Sequence, residues 1–507
     1  MTPEGIRFQY PAEILVETTR KVVPEDTTLV SKMDPVTKED LPLYDAMPMP
    51  RPLSQRWLAG TSIELGAGAP YLPRVDLRSL IISNDQSALE LNGKFKTTTA
   101  VEPAIKQFWQ LGVSGNFLFP SGSVPVSEQI PELDIDAATG ANKRLLVSEI
   151  DSSPHTLSKT DLDAAFIIGS PSQLKLRLYG AVTLLNDDTG PGTSENSAKT
   201  GLSLIKDIPN SSYRTEFDLS YVSASSIGLL SYNPHYIETQ LFFQQKENEL
   251  LRWRAGISYL GGSDAIGSTS IFFPVIEISS RLSHSVEIGA GFEPKPQLTG
   301  LKELLSSNLF YSPAIQLASG STTDPRRVVS EPIHLNLFAN YFLSLDDELH
   351  VELRYITRNN EPTFFSDTDT KGHVLFVATP INTRRTELEA GGSLLLFTKD
   401  KLRVSLLFRS ASDMQTGFVL PFEPTAQIQA AYEFGNISEK FTPVIEFIHL
   451  RRIAGSFTFI NVEARYIFSQ KFQLHFRAEN ILGNAGDFWT GYDEYPRSVW
   501  VSAQYLF

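Results

Sequence analysis

Apolar and polar residues alternate with a period of two through most of this chain. That period belongs to strands, whose successive side chains point to opposite faces. In Lys471–Leu482, Phe472, Leu474, Phe476 and Ala478 oppose Lys471, Gln473, His475, Arg477 and Glu479. In Gln173–Leu184, Leu174, Leu176, Leu178, Val182 and Leu184 oppose Lys175, Arg177, Tyr179 and Thr183. Ser212–Tyr221 sets Tyr213, Phe217, Leu219 and Tyr221 against Arg214, Glu216, Asp218 and Ser220. Leu349–Arg358 sets Leu349, Val351, Leu353 and Tyr355 against His350, Glu352, Arg354 and Arg358. The final stretch, Arg497–Phe507 (RSVWVSAQYLF), puts Val499, Val501, Ala503, Tyr505 and Phe507 on one face. A strand of this kind at the end of a sheet must be paired, or it becomes an aggregation site. Its simplest partner is the first strand of the same chain, which closes the sheet.

Strands follow one another from Gln55 onward. The pattern predicts them at Trp57–Gly66, Arg74–Ser83, Ser87–Thr97 and Gln107–Phe119. Residues 120–159 are polar and interrupted by proline, and read as a loop. Paired strands with short turns then recur from Thr160 to Leu482. Their longer connections include 186–198, 223–235, 294–332, 358–384 and 411–424. Short turns alternating with longer loops predict antiparallel neighbours with the long loops at one end. A helical turn is expected at Gly300–Ser307 (GLKELLSS), inside the 294–332 loop. A closed antiparallel barrel needs an even number of strands, and the pattern gives about 20–22. An uncounted strand is expected in 98–159 or at His373–Pro380 (HVLFVATP).

No apolar run approaches the roughly 18–20 residues of a spanning helix. A mean hydropathy of −0.12 is nonetheless compatible with a membrane barrel, which shows lipid only every second residue. A soluble sandwich or propeller would hide the same apolar faces against one another. Strand number and turn asymmetry favour the barrel. A sheet of some twenty strands is too wide to fill with its own side chains, so its apolar face must turn outward. Closure then satisfies every backbone group, as lipid requires. The fold expected is therefore all-β: a single large closed antiparallel transmembrane barrel over residues 55–507.

Residues 1–54 form a separate segment, broken by Pro3, Pro11, Pro24, Pro35, Pro42, Pro48, Pro50 and Pro52. It is expected to be periplasmic, either extended or inserted into the lumen. The start, MTPEGIRFQYPAEI, lacks the basic and apolar regions of a secretory signal, so removal of a signal is expected.

Composition narrows the chemistry. There are no cysteines, which excludes disulfides and thiolate metal sites. A net charge of −14 argues against nucleic acid as a partner. The eight histidines never pair at i,i+2 or i,i+4, and no Gly-rich phosphate loop or GxSxG elbow occurs. Neither enzymatic activity nor a metal or other cofactor is expected. The inward charges are the candidate site: Lys94, Lys175, Arg177, Arg214, Glu216, Arg252, Arg254, Glu352, Arg354, Glu387, Glu463, Arg477 and Glu479. They read either as cross-strand pairs holding a hydrated wall or as a selectivity lining. Their mixed signs predict no strong ion preference.

Ala478–Phe507 resembles the end of TonB-dependent receptor barrels. The matching parts are Asn480-Ile481-Leu482, an aromatic loop, Tyr495-Pro496-Arg497, and a last strand ending aromatic-x-Phe. The resemblance implies an outer-membrane barrel of a Gram-negative bacterium. It also implies a signal for the barrel assembly machinery, on Tyr505 and Phe507. Asp26–Val30 (DTTLV) resembles the short box that contacts TonB. The chain departs from the family in having only about 54 residues ahead of the barrel, where a folded plug would stand. Solute passage across the outer membrane is thus the leading expectation. The second is a scaffold or anchor in a surface or secretion complex, with partners among surface proteins and outer-membrane lipid.

Overall fold

The computed structural model describes residues 61–506 apart from short connecting stretches, the longest being 119–131 and 312–324. Residues 1–54, the start of the first expected strand and Phe507 lie outside the described residues. The chain runs through β1 (Thr61–Ala69), β2 (Arg74–Asn84), β3 (Ser87–Thr97), β4 (Ile105–Leu118), β5 (Glu132–Leu146) and β6 (Ser153–Ile168). Next come β7 (Lys175–Asp187), β8 (Thr193–Asp207), β9 (Tyr213–Ile227), β10 (His235–Gln245), β11 (Leu251–Ser263), β12 (Ser268–Ser283) and β13 (Val286–Phe292). A two-residue β14 (Gln297–Leu298) and a helix α1 (Leu301–Ser307) lead to β15 (Val328–Phe342), β16 (Glu348–Thr368) and β17 (Val374–Leu396). The remainder is β18 (Asp400–Asp413), β19 (Ala426–Glu433), β20 (Phe441–Arg452), β21 (Gly455–Ser469), β22 (Phe472–Glu479), a small β23–β24 hairpin (Asp487–Trp489, Tyr492–Asp493) and β25 (Ser498–Leu506).

Each strand pairs antiparallel with its sequence neighbours, and β1 pairs with β25 from Ser62↔Leu506 to Ala69↔Val499. Leaving out β14, which pairs only with β15, and the β23–β24 hairpin, the result is a closed barrel of 22 strands. The even count requires one strand more than the alternation marks plainly, and β5 supplies it. Its sequence, ELDIDAATGANKRLL, puts small and polar groups such as Ala137 and Thr139 where bulky apolar residues would betray a strand. The expectation of a loop over 120–159 is therefore corrected. So are the loops expected at 294–332 and 358–384, which β15, β16 and β17 partly occupy. These strands continue pairing where the alternation fades. The helical turn expected at Gly300–Ser307 is α1.

The apolar positions of the alternation face outward. Leu111, Leu241, Ile257, Phe272 and Leu337 are all more than half exposed, a cost only lipid removes. Aromatic clusters bound this band. Tyr213, Phe243 and Trp253 have ring centroids 5.2–5.8 Å apart beside the turns, as do Tyr466 and Phe468 at 4.6 Å. Tyr259 and Phe272 lie 4.6 Å apart at the loop end. Long connections 293–327, 414–425 and 480–497 share that loop end, whereas the opposite end has short turns except at 119–131.

Small residues let the seam close. A Cβ on Gly68 would lie 2.1 Å from the Val499 carbonyl oxygen and 2.3 Å from Trp500 Cβ. On the inner side the Ser502 hydroxyl donates to Glu64, and His475 Nδ1 lies 3.9 Å from the same carboxylate. Gly68→Val is expected to prevent β1–β25 pairing. Semi-native electrophoresis of unheated samples should show loss of the compact, fast-migrating barrel band; an unchanged band would show that the seam tolerates the side chain.

Candidate functional site

All thirteen charged residues singled out from the sequence lie on the face opposite the exposed apolar side chains, each next in sequence to outward positions. They do not converge on one point. Arg214 pairs with Asp207 at 2.8 Å, and Glu216 accepts from Gln244 at 3.4 Å. Arg252 pairs with Glu287, while Arg254 stacks 3.5 Å over the Phe242 ring and lies 3.6 Å from both Glu277 and Glu293. Arg177 lies 5.4 Å from the Tyr179 ring centre. Lys94 stands opposite Asp76 in the β2–β3 register, and Lys175 opposite Ile205 between β7 and β8. Glu463 stands opposite Arg477, which itself bonds Glu479 at 2.8 Å; Glu479 accepts from Ser498 at 2.5 Å. Of the assembly-signal pair, Tyr505 faces outward and is paired with Phe472 and Ile63.

The remaining three, Glu352, Arg354 and Glu387, belong to something larger. Arg354 on β16 bonds Glu352 at 2.9 Å, Glu387 at 3.1 Å, and Glu389. Glu387 also receives Arg409 at 2.6 Å, and Arg409 reaches Glu423 at 3.4 Å. Arg385 is forked onto two carboxylates: Glu423 at 2.5 and 2.9 Å, and Glu361 at 2.6 and 3.2 Å. Arg358 joins Glu361 at 2.8 Å to Glu331 at 2.7 Å, and His334 Nδ1 lies 2.6 Å from Glu331. Alternating charges thus run up the inner wall of β15–β18 as one continuous ladder. Bidentate guanidinium–carboxylate contacts are the geometrically specific kind.

Two bulges make this ladder. Arg358 and Glu361 are three residues apart, so strict alternation would put them on opposite faces. Asn359 and Asn360 together oppose a single residue, Asn382, and Asn360 takes φ = 61° while its N–H donates to the Asn382 side chain at 3.2 Å. The extra residue returns Glu361 to the inner face. A second bulge between Ser330 and Ile333 does the same for Glu331 relative to His334. Glu331 and Glu361 were missed by alternation for this reason, and Glu423 because 411–424 reads as a loop, whereas Arg385 shares the parity of Glu387 and was within reach of the pattern. The Asn-Asn pair at 359–360 is the one local signal that marks the bulge.

Above the ladder the 293–327 connection reaches inward. Glu303 bonds the Gly300 N–H at 2.8 Å and sets the start of α1. Leu301, Leu304 and Leu305 are 0–3% exposed, so α1 is packed and not dangling. The Leu301 N–H donates to Glu195 of β8 at 2.7 Å, and Arg326 donates to Ser226 of β9. Val328 packs with Ala224, Tyr236 and Leu260, which are inward residues of β9–β11. On the far side Tyr311 bridges Phe376 of β17 and meets the Phe364 ring edge-on at 6.1 Å. The connection therefore crosses the mouth between two separated arcs of wall. Its seat on one arc is the apolar inward patch of β9–β11, so the interior is not lined by charge alone.

A cavity of about 370 Å³ lies between α1 and the ladder. Thr299, Glu303 and Ser307 come from the crossing segment, and Glu331, Arg358, Glu361, Arg385 and Arg409 from the wall. Leu420, Pro421, Glu423 and Pro424 of the 414–425 loop close one side, with Arg452 of β20.

A closed barrel of 22 strands is the fold of outer-membrane receptors of the TonB-dependent type. The chain is similar in fold to the siderophore receptor PirA from Acinetobacter baumannii (TM-score 0.63, 12% identity, covering 88% of this chain and 80% of that one). It is similar to the copper transporter OprC (TM-score 0.61, 12% identity, 88% and 80% covered) and to the alcaligin outer-membrane receptor FauA from Bordetella pertussis (0.58, 9%, 89% and 77%). No protein-family model matches the chain, and no curated protein matches it in sequence.

Arg354→Ala strips one cation from three carboxylates. With its side chain 25% exposed, the expected cost is about 2 kcal/mol, below that of a fully buried pair. Urea unfolding in detergent micelles measures it; an unchanged midpoint would show that the ladder contributes nothing to stability.

Proposed function

We propose that this protein passes a solute across the outer membrane through a receptor-type barrel, and that its own 293–327 connection closes the loop-side mouth. The supporting observation is the crossing of that connection from Glu195 and Ser226 on one arc to Phe364 and Phe376 on the other. A structural strut for a non-transporting scaffold would need no solute-sized space beneath it, yet one is present between α1 and the ladder. Loops face outside in this reading, turns face the periplasm, and residues 1–54 are periplasmic. The structural neighbours include a copper transporter and siderophore receptors, and which solute this barrel serves is a separate matter.

The double variant Glu195→Ala/Ser226→Ala removes both polar anchors on the β8–β9 arc. In planar bilayers it is expected to raise the frequency of open-channel events at least several-fold over the intact chain. Deleting residues 1–54 alone should leave conductance unchanged if the mouth connection is the closing element. A rise on that deletion, with none in the anchor variant, would move the stopper to the N-terminal segment. A barrel silent in both forms that co-purifies with other proteins would be a scaffold.

The reading of Tyr505 and Phe507 as the assembly signal carries its own test. Removing Phe507 is expected to lower the amount of folded barrel in outer-membrane fractions several-fold, without altering refolding of the purified chain in detergent. Normal membrane levels would show that the signal lies elsewhere.

A further inference from the structure

The mouth cavity is built from charge yet carries no net charge. Its arginines are Arg358, Arg385, Arg409 and Arg452, and its glutamates Glu303, Glu331, Glu361 and Glu423. Four guanidinium groups against four carboxylates cancel. The cancellation is also local. Arg358 touches both Glu331 and Glu361, Arg385 both Glu361 and Glu423, and Arg409 both Glu387 and Glu423. An anion entering here meets guanidinium groups that already hold two carboxylates each. It gains little attraction and meets repulsion from the carboxylates beside them. A cation meets the mirror-image difficulty. Either would also bring its own desolvation cost into a partly enclosed space.

A paired guanidinium or carboxylate still has hydrogen-bonding capacity to spare. Arginine carries five N–H donors, and a carboxylate has about four lone-pair sites. Arg358, Arg409 and Glu423 keep 22–31% of their side chains exposed, so these groups face the cavity with part of that capacity unspent. Donors and acceptors alternate along the ladder at the spacing of neighbouring residues. A hydroxyl group both donates and accepts, and adjacent hydroxyls on one carbon skeleton present both functions side by side. Thr299, Ser307 and Thr363 add hydroxyls of the same character. Apolar lining is also present, from Val329, Phe364 and Leu420, each 3–8% exposed, and from Pro362, Pro421 and Pro424, so the polar groups are set among apolar contacts.

We infer that the cavity under α1 binds an uncharged, polyhydroxylated solute of about mono- to disaccharide size, and discriminates against compact polyanions and polycations. This rests on the reading of the mouth as the side from which solute enters. A volume of about 370 Å³ sits at the lower end of small-ligand sites. A site made to hydrogen-bond hydroxyls rejects analogues that lack them, because its own polar groups are then left unpaired.

The test uses the full chain in detergent, with equilibrium dialysis as the readout and maltose, sucrose, trehalose, citrate and spermidine as probes. At least one of the three sugars is expected to bind at millimolar concentration, with neither citrate nor spermidine displacing it. Glu423→Gln leaves one cation in excess and is expected to gain about ten-fold in citrate affinity, the scale of one partly screened charge contact. Arg452→Gln leaves one carboxylate in excess and should gain by a similar factor toward spermidine. Tighter binding of citrate or spermidine than of any sugar by the unaltered chain overturns the assignment, and so does failure of all three sugars to bind. Sugar binding by a barrel that never conducts would uphold the cavity and remove the passage reading. Conduction without sugar binding would do the reverse.

Discussion

Everything in this molecule follows from the pairing of its first described strand with its last. Lipid offers no hydrogen bonds, so a sheet crossing it has to leave no backbone group unpaired. The β1–β25 contact achieves this with eight register pairs running from Ser62↔Leu506 to Ala69↔Val499. Glycine at positions 66 and 68 permits the close approach, and the Glu64–Ser502 contact fastens the inner side. Once the ring is shut, parity sets the direction of the side chains wherever pairing is free of bulges. Within the lipid band the outward positions are mostly leucine, isoleucine and phenylalanine, and most arginines and glutamates face the interior.

That parity is why so much of the architecture could be read from the chain. Strands such as β7, β16 and β22 alternate cleanly within the lipid band, and their faces follow directly. Reading fails where the cause of alternation stops. β5 carries alanine and threonine where leucine would be diagnostic, so its outward face has no contrast with its inward one. The upper parts of β16 and β17 extend beyond their neighbours' pairing, past the level at which Arg384 is exposed on the outer face. There, no lipid constrains the sequence, and proline and asparagine appear within continuous pairing.

The candidate site was readable in part for the same reason. Glu352, Arg354 and Glu387 keep the period of two and are visible as inward charges. Glu331 and Glu361 are out of phase with it, and only the bulges at 330–333 and 358–361 return them to the interior. A bulge trades one ladder hydrogen bond for the freedom to re-aim a side chain. Here two neighbouring strands use one each, which brings carboxylates from both beside Arg358. The cavity is thus a product of departures from regularity at the mouth. The regular barrel below it supplies rigidity and leaves that chemistry to the loops.

The crossing connection has a consequence for the order in which the molecule is completed. Its seats on β8–β11 precede it in the chain, but its seats on β16 and β17 follow it. Residue 311 lies against wall that stands some fifty to seventy residues further along the chain. The span can therefore be fully seated only once both arcs of wall are paired, whatever the order in which strands are added. A seated span is then a certificate that the wall on both sides of it has been built.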